Sequence, residues 1–126
     1  MHHKGNVLVV DDDRFILKMT KDLLEKNGYS VATATNTIGA GYLLKDFDPD
    51  LVVLDIMLPG SLSGDRACDT LRAFKPGLKI VFYSGIDDNK LASLGEQQNA
   101  DAVLSKGGRV SELMQIIERL LGERSP

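Results

Sequence analysis

Five short β-rich runs punctuate the chain: NVLVV at 6–10, SVATA at 30–34, LVVL at 51–54, KIVFY at 79–83 and AVLS at 102–105. Most are apolar at nearly every position rather than at every second one, the mark of strands buried on both faces. Such strands need helices above and below them, and helix-period segments fill the gaps. The spacing predicts helices over about 14–27, 37–46, 65–74, 88–98 and 110–121. Expected inward faces are Phe15, Ile16, Met19, Leu23 and Leu24 on the first, and Ile38, Tyr42 and Leu43 on the second. Ala67, Leu71 and Phe74 serve the third, and Leu113, Ile116, Ile117, Leu120 and Leu121 the last. The fourth, DNKLASLGEQQ, has few apolar anchors, and its Gly95 costs about 1 kcal/mol relative to alanine. A loosely held helix is expected there. Asn27-Gly28 and Pro76-Gly77 are stop signals for the first and third helices.

Strands alternating with helices imply an α/β fold with a parallel sheet and right-handed crossovers. The doubly wound, flavodoxin-like order 2-1-3-4-5 suits five strands. At 126 residues the chain is expected to be one domain, with its core at about 5–122. A net charge of -3 argues against direct nucleic-acid binding, which usually shows a basic face. The single cysteine, Cys68, excludes an intrachain disulfide and is expected to be a small buried thiol in a reducing compartment. No apolar run approaches the roughly 20 residues that span a bilayer, and MHHKGN lacks a signal-peptide core. A cytoplasmic protein without membrane contact is expected. His2 and His3 are expected to be a loose terminus, and GERSP a free end or a cut linker.

In doubly wound sheets ligands sit beyond the carboxyl ends of the strands, where the winding reverses between strands 1 and 3. Strand 1 ends in Asp11-Asp12-Asp13, strand 3 in Asp55, strand 4 in Ser84-Gly85 and strand 5 in Ser105-Lys106. Strand 2, on the far side, ends in the uncharged Thr35-Asn36. Asp11, Asp12 and Asp55 on one rim repel unless a cation neutralises them. Mg²⁺ suits that task, because it takes carboxylate, water and phosphate oxygens in an octahedron. A carboxylate beside that ion can attack phosphorus, with Lys106 stabilising the transferring charge and Ser84 donating to a phosphate oxygen. Asp13 is expected to cap the first helix.

VLVVDDD, DLVVLDIMLPG, IVFYSG and ADAVLSK, in this order and spacing, resemble the receiver domain of two-component response regulators over residues 5 to 122. The resemblance implies a signalling switch rather than an enzyme with an external substrate. It implies that Asp55 is the phosphoacceptor, served by a histidine kinase or a phosphotransfer protein. Asp12 is implied as the direct Mg²⁺ ligand, Asp11 as the acid acting through water, and the Met57 main-chain carbonyl as a further ligand. Ser84 matches the switch hydroxyl, Lys106 the phosphate-pairing lysine, and Pro59-Gly60 the turn after the acceptor. The output leaves through an unknown downstream protein, or through an output domain beyond these residues.

Three features depart from that pattern. The lysine is usually followed by proline through a cis peptide, whereas here the run is SKGG. A cis bond to glycine costs roughly 2.5–4 kcal/mol, so a trans bond or a mobile loop is expected, with Gly107 and Gly108 free to take unusual φ/ψ. Tyr or Phe commonly stands three residues before the lysine, where this chain has Val103. PGSLSGD is one residue longer than usual, and its Leu62 is a contact point or local packing. Two rival readings fit the same residues. One is a receiver-like binding module with phosphorylation-independent output. The other is a phosphatase of the haloacid-dehalogenase kind, whose D-x-D Asp11 and Asp13 fit loosely.

Overall fold

Parity along the strands divides the core into two layers. A computed structural model describes residues 4–57 and 67–122. Its elements are β1 (Asn6–Val10), α1 (Arg14–Lys26), β2 (Ser30–Ala34), α2 (Thr37–Asp46), β3 (Leu51–Leu54), α3 (Ala67–Phe74), β4 (Lys79–Ser84), α4 (Asp88–Gln98), β5 (Ala102–Ser105) and α5 (Val110–Gly122). All four strand pairings are parallel, in the order β2-β1-β3-β4-β5, as the alternation predicts. Leu8, Val10, Val52, Leu54, Ile80 and Phe82 face one way and pack against α2, α3 and α4. Val7, Val9, Leu51, Val53, Val81 and Tyr83 face the other way and pack against α1 and α5. Among the described residues no helix is long and apolar enough to cross a membrane. His2, His3, the Pro59-Gly60 turn, Leu62 and residues 123–126 of the tail lie outside the described residues.

Helix positions match the periodicity, but several faces are rotated from those expected. On α1 the buried residues are Leu17, Thr20 and Leu24, with Phe15 73% exposed. On α2 Ala40 and Leu44 are buried, while Ile38 and Tyr42 are 74% and 72% exposed. On α3 Ala67, Cys68 and Leu71 are buried, and Phe74 points to solvent. On α5 Leu113, Ile117, Leu120 and Leu121 are buried as expected, Met114 joins them and Ile116 is half-buried. A helix lying flat on a sheet buries a narrow stripe, and on α2 and α3 that stripe runs through Ala40, Ala67 and Cys68. Burial pushes the Cys68 thiol up to about 11, so it is an inert packing residue.

The helix ends follow local chemistry. Asp13 caps α1, its Oδ1 accepting from the Phe15 and Ile16 N–H groups. Asn36 caps α2 and Asp87 caps α4 in the same way. At the end of α1, Gly28 takes a positive φ of 97°, and the N–H groups of Gly28 and Tyr29 return to Glu25 and Leu24.

Gly95 is not the weak point that helix propensity makes it. It is buried against β5, and a Cβ there would overlap Val103 Cγ1. Glycine lets α4 settle onto Val103, with Leu91 and Gln98 buried on the same side. Gly95→Ala gains about 1 kcal/mol of helix propensity but loses about 1–3 kcal/mol to overpacking, so urea denaturation should show a net loss. Val103→Ala in that background should recover stability, with a coupling of about 1 kcal/mol; additive effects would refute the contact. Thr20 is fully buried, and its Oγ1 has no hydrogen-bond partner. Thr20→Val keeps the shape and removes the orphaned hydroxyl, so the midpoint should rise by about 1 kcal/mol equivalent.

Candidate functional site

The register of the central strands brings the acids together. Val10 lies opposite Leu54, and the ladder continues one residue further. Asp11 N–H donates to Ala34 O at 3.1 Å and Asp55 N–H to Val10 O at 3.0 Å. Both backbones are thus fixed at the carboxyl edge of the sheet. Asp11 is 2% exposed and Asp55 5% exposed, whereas Asp12 faces solvent.

The two buried carboxylates are used alike. Each Oδ1 folds its own loop back, accepting at 2.9 Å from Asp13 N–H in one case and Met57 N–H in the other. Each Oδ2 meets the Lys106 ammonium, at 2.7 Å for Asp11 and 2.9 Å for Asp55. Lys106 reaches in from the end of β5, and its N–H donates to Ser84 O at 2.9 Å.

Burial pushes the Asp11 carboxyl above its ordinary range, against the pull of Lys106 and the Asp13 N–H. Burial also opposes charge on Lys106, but its hydrogen bonds to Asp11 and Asp55 outweigh that and hold it above the usual lysine value. The partners lean opposite ways, toward a firmer cation and a less readily ionised acid. The lysine direction is the one geometry carries, since one ammonium faces two carboxylates. Lys106 cannot neutralise both, and Asp12 adds a further negative charge.

Oxygens of Asp11, Asp12 and Asp55 lie within 4.8 Å of one another. Opposite vertices of a Mg²⁺ octahedron are about 4.2 Å apart, twice the ideal bond length. The set therefore fits one such ion with a small closure, or with one acid acting through water, and its hard oxygens suit Mg²⁺. Asp13 stands apart, since its side chain caps α1.

Ser84 is fully buried at the end of β4, and its Oγ accepts from Ile86 N–H at 3.4 Å. Tyr83 points into the α1/α5 layer, away from Phe82, as strand alternation requires. Burial raises its phenol, and the charges of Lys106 and Asp11 also act on it, so it lies beneath the site. Among the described residues no peptide bond is cis, and neither Gly107 nor Gly108 has a positive φ. The trans alternative after Lys106 holds, and the unusual φ expected of the glycines is not used. Nothing in the apolar pattern marks Ser105 and Glu112, which hold the turn behind Lys106. The signals available were a Ser-x-Gly spacing and a glutamate three residues past Arg109, the residue just before α5.

A family model described as the response regulator receiver domain matches residues 7–118. The response regulator MprA of Mycobacterium sp. (strain KMS) is 36% identical over 120 residues, 95% of this chain and 52% of that protein. The chain thus spans about half the length of the curated relatives it matches. NtrX from Brucella abortus is 29% identical with a TM-score of 0.84, covering 97% of this chain and 28% of that one. A two-component response regulator of the LuxR family from Aurantimonas sp. SI85-9A1 is 27% identical with a TM-score of 0.83, covering 95% and 86%. The BeF3-activated DrrB receiver domain is 28% identical with a TM-score of 0.80, covering 94% and 97%. With its fold, its strand-end acids and a family match over most of its length, the chain belongs to the receiver domains of two-component response regulators.

Proposed function

We propose that Asp55 accepts a phosphoryl group from the phosphohistidine of a histidine kinase or phosphotransfer protein, with Mg²⁺ held by Asp11, Asp12, Asp55 and the Met57 main-chain carbonyl. The observation that carries this is the Lys106 ammonium shared by two buried carboxylates beside a third acid. A buried carboxylate with one oxygen turned to a lysine is placed to act on an electrophile that brings its own negative charge. An Asp55 oxygen attacks phosphorus, the P–N bond to imidazole breaks, and the imidazole nitrogen leaves with the bonding pair. Lys106 moves its contact from carboxylate to phosphoryl oxygen, and the Ser84 hydroxyl turns from Ile86 N–H to donate to another. Bound Mg²⁺ supplies charge neutralisation for the acids and the phosphoryl oxygens. The product adds about −1.5 to −2 charge at the sheet edge, beside the loop that leads into α4. The similar DrrB receiver domain is BeF3-activated, which supports this reading.

Incubated with Mg²⁺ and acetyl phosphate, the protein should gain one phosphoryl group by intact mass, and Asp55→Asn should gain none. Absence of an adduct with every donor, phosphohistidine proteins included, would move the assignment to a binding module that works without phosphorylation. Lys106→Ala leaves two buried acids without their cation. Because the lysine is partly solvent-exposed, the expected loss is about 2 kcal/mol, below the range for a fully buried pair. Millimolar Mg²⁺ should restore more stability to that variant than it adds to the wild type. Equal gains in urea denaturation would show that the acids and Lys106 do not share one charge balance.

A further inference from the structure

The residue after Lys106 is glycine, so its nitrogen carries a hydrogen that must be bound or solvated. Four consecutive amides in this turn all have acceptors. Lys106 N–H donates to Ser84 O at 2.9 Å, and Gly107 N–H to Ser105 Oγ at 3.1 Å. Gly108 N–H donates to Ser105 O at 3.1 Å, and Arg109 N–H to Glu112 Oε1 at 3.2 Å. Ser105 thus takes two of the four, one with its hydroxyl and one with its carbonyl. At position 108 a Cβ would stand 3.2 Å from Glu112 Oε1 and 3.4 Å from Ser105 O, so glycine there leaves room for the returning carboxylate. At position 107, among the described residues, a Cβ would meet Ser105 Oγ at 3.5 Å, an ordinary contact. Glycine pairs lose the most backbone freedom on ordering, and among the described residues Ser105 is the side chain bound to the Gly107 amide.

We propose that Ser105 is a positioning residue for Lys106: its hydroxyl pins Gly107, and through it the backbone from which the ammonium reaches Asp11 and Asp55. Its consequence for phosphoryl transfer rests on the phosphoacceptor assignment above, but the placement of Lys106 does not.

The test compares wild type, Ser105→Ala and Ser105→Thr by two measurements. First, metal-free protein is acetylated with an N-hydroxysuccinimide ester and the label at each lysine is followed by peptide mass mapping. Lys106, held by two carboxylates, should label slowly in wild type, several-fold faster in Ser105→Ala and at the wild-type rate in Ser105→Thr. The exposed Lys18 and Lys90 should not change. Equal Lys106 labelling in wild type and Ser105→Ala overturns the proposal, and so does a rise at all three lysines together. Second, adduct formation with Mg²⁺ and acetyl phosphate should slow several-fold at saturating donor in Ser105→Ala. The half-saturating concentration should stay unchanged, and threonine should rescue the rate. A slower Lys106-independent background, seen as the same loss in Lys106→Ala and its Ser105→Ala double variant, supports action through the lysine; a further loss in the double variant overturns it. A wild type that takes no phosphoryl group defeats the phosphoacceptor assignment and leaves the labelling result to decide Ser105.

Discussion

The ion triad of Lys106 with Asp11 and Asp55 is the constraint on which the carboxyl edge of the sheet depends. Burying one carboxylate is unfavourable, and burying two side by side is more so. The chain sustains the pair because strand register places both backbones rigidly and because a lysine from β5 lies between the acids. Neutralisation is incomplete by design of charge: one cation faces two buried anions, with Asp12 outside. That leaves a residual negative potential at a sheet edge walled by apolar layers.

Placement comes from the sheet rather than from the loops. Asp11 and Asp55 each continue a ladder, so their positions follow from Val10 and Leu54, which are fully packed in the core. The loops then fold back on the carboxylates through the Asp13 and Met57 amides. One oxygen of each acid therefore organises backbone and the other does electrostatic work. The same division recurs at Ser84, whose carbonyl anchors Lys106 while its hydroxyl is held only by a long contact to Ile86 N–H. A hydroxyl held that weakly is free to change partner.

The strands, their order and the acids at their ends were legible in the sequence, because apolar runs of strand length and the switch-point rule leave few arrangements. Helix faces were less legible. Ile38, Tyr42 and Phe74 carry large apolar side chains at helical spacing yet stand in solvent, while Ala40, Ala67 and Cys68 lie against the sheet. Hydrophobicity ranks the larger residues higher, but close approach of helix to sheet selects the small ones. Gly95 illustrates the same limit: propensity scores it as a defect, and only its distance to Val103, eight residues along and on another element, shows it as a packing requirement. Ser105 stands out little in the sequence, since a serine at a strand end is common and its role depends on what its neighbours' amides lack.

Two of the three departures from the family pattern each come with a partner residue. Where an aromatic ring commonly stands this chain has Val103, and the backbone of Gly95 lies directly against it. Where proline commonly follows the lysine, Gly107 adds an amide hydrogen, and Ser105 accepts it. The first pair is a close helix-to-strand contact, and the second gives an added donor its acceptor. Neither pair touches Asp11, Asp12 or Asp55. The charge balance at the sheet edge is thus kept while the elements beside it, α4 on β5 and the turn into α5, are held by different contacts. In this chain α4 is seated directly on β5 through Gly95 and Val103, so a shift of α4 relative to β5 has to break or carry that contact.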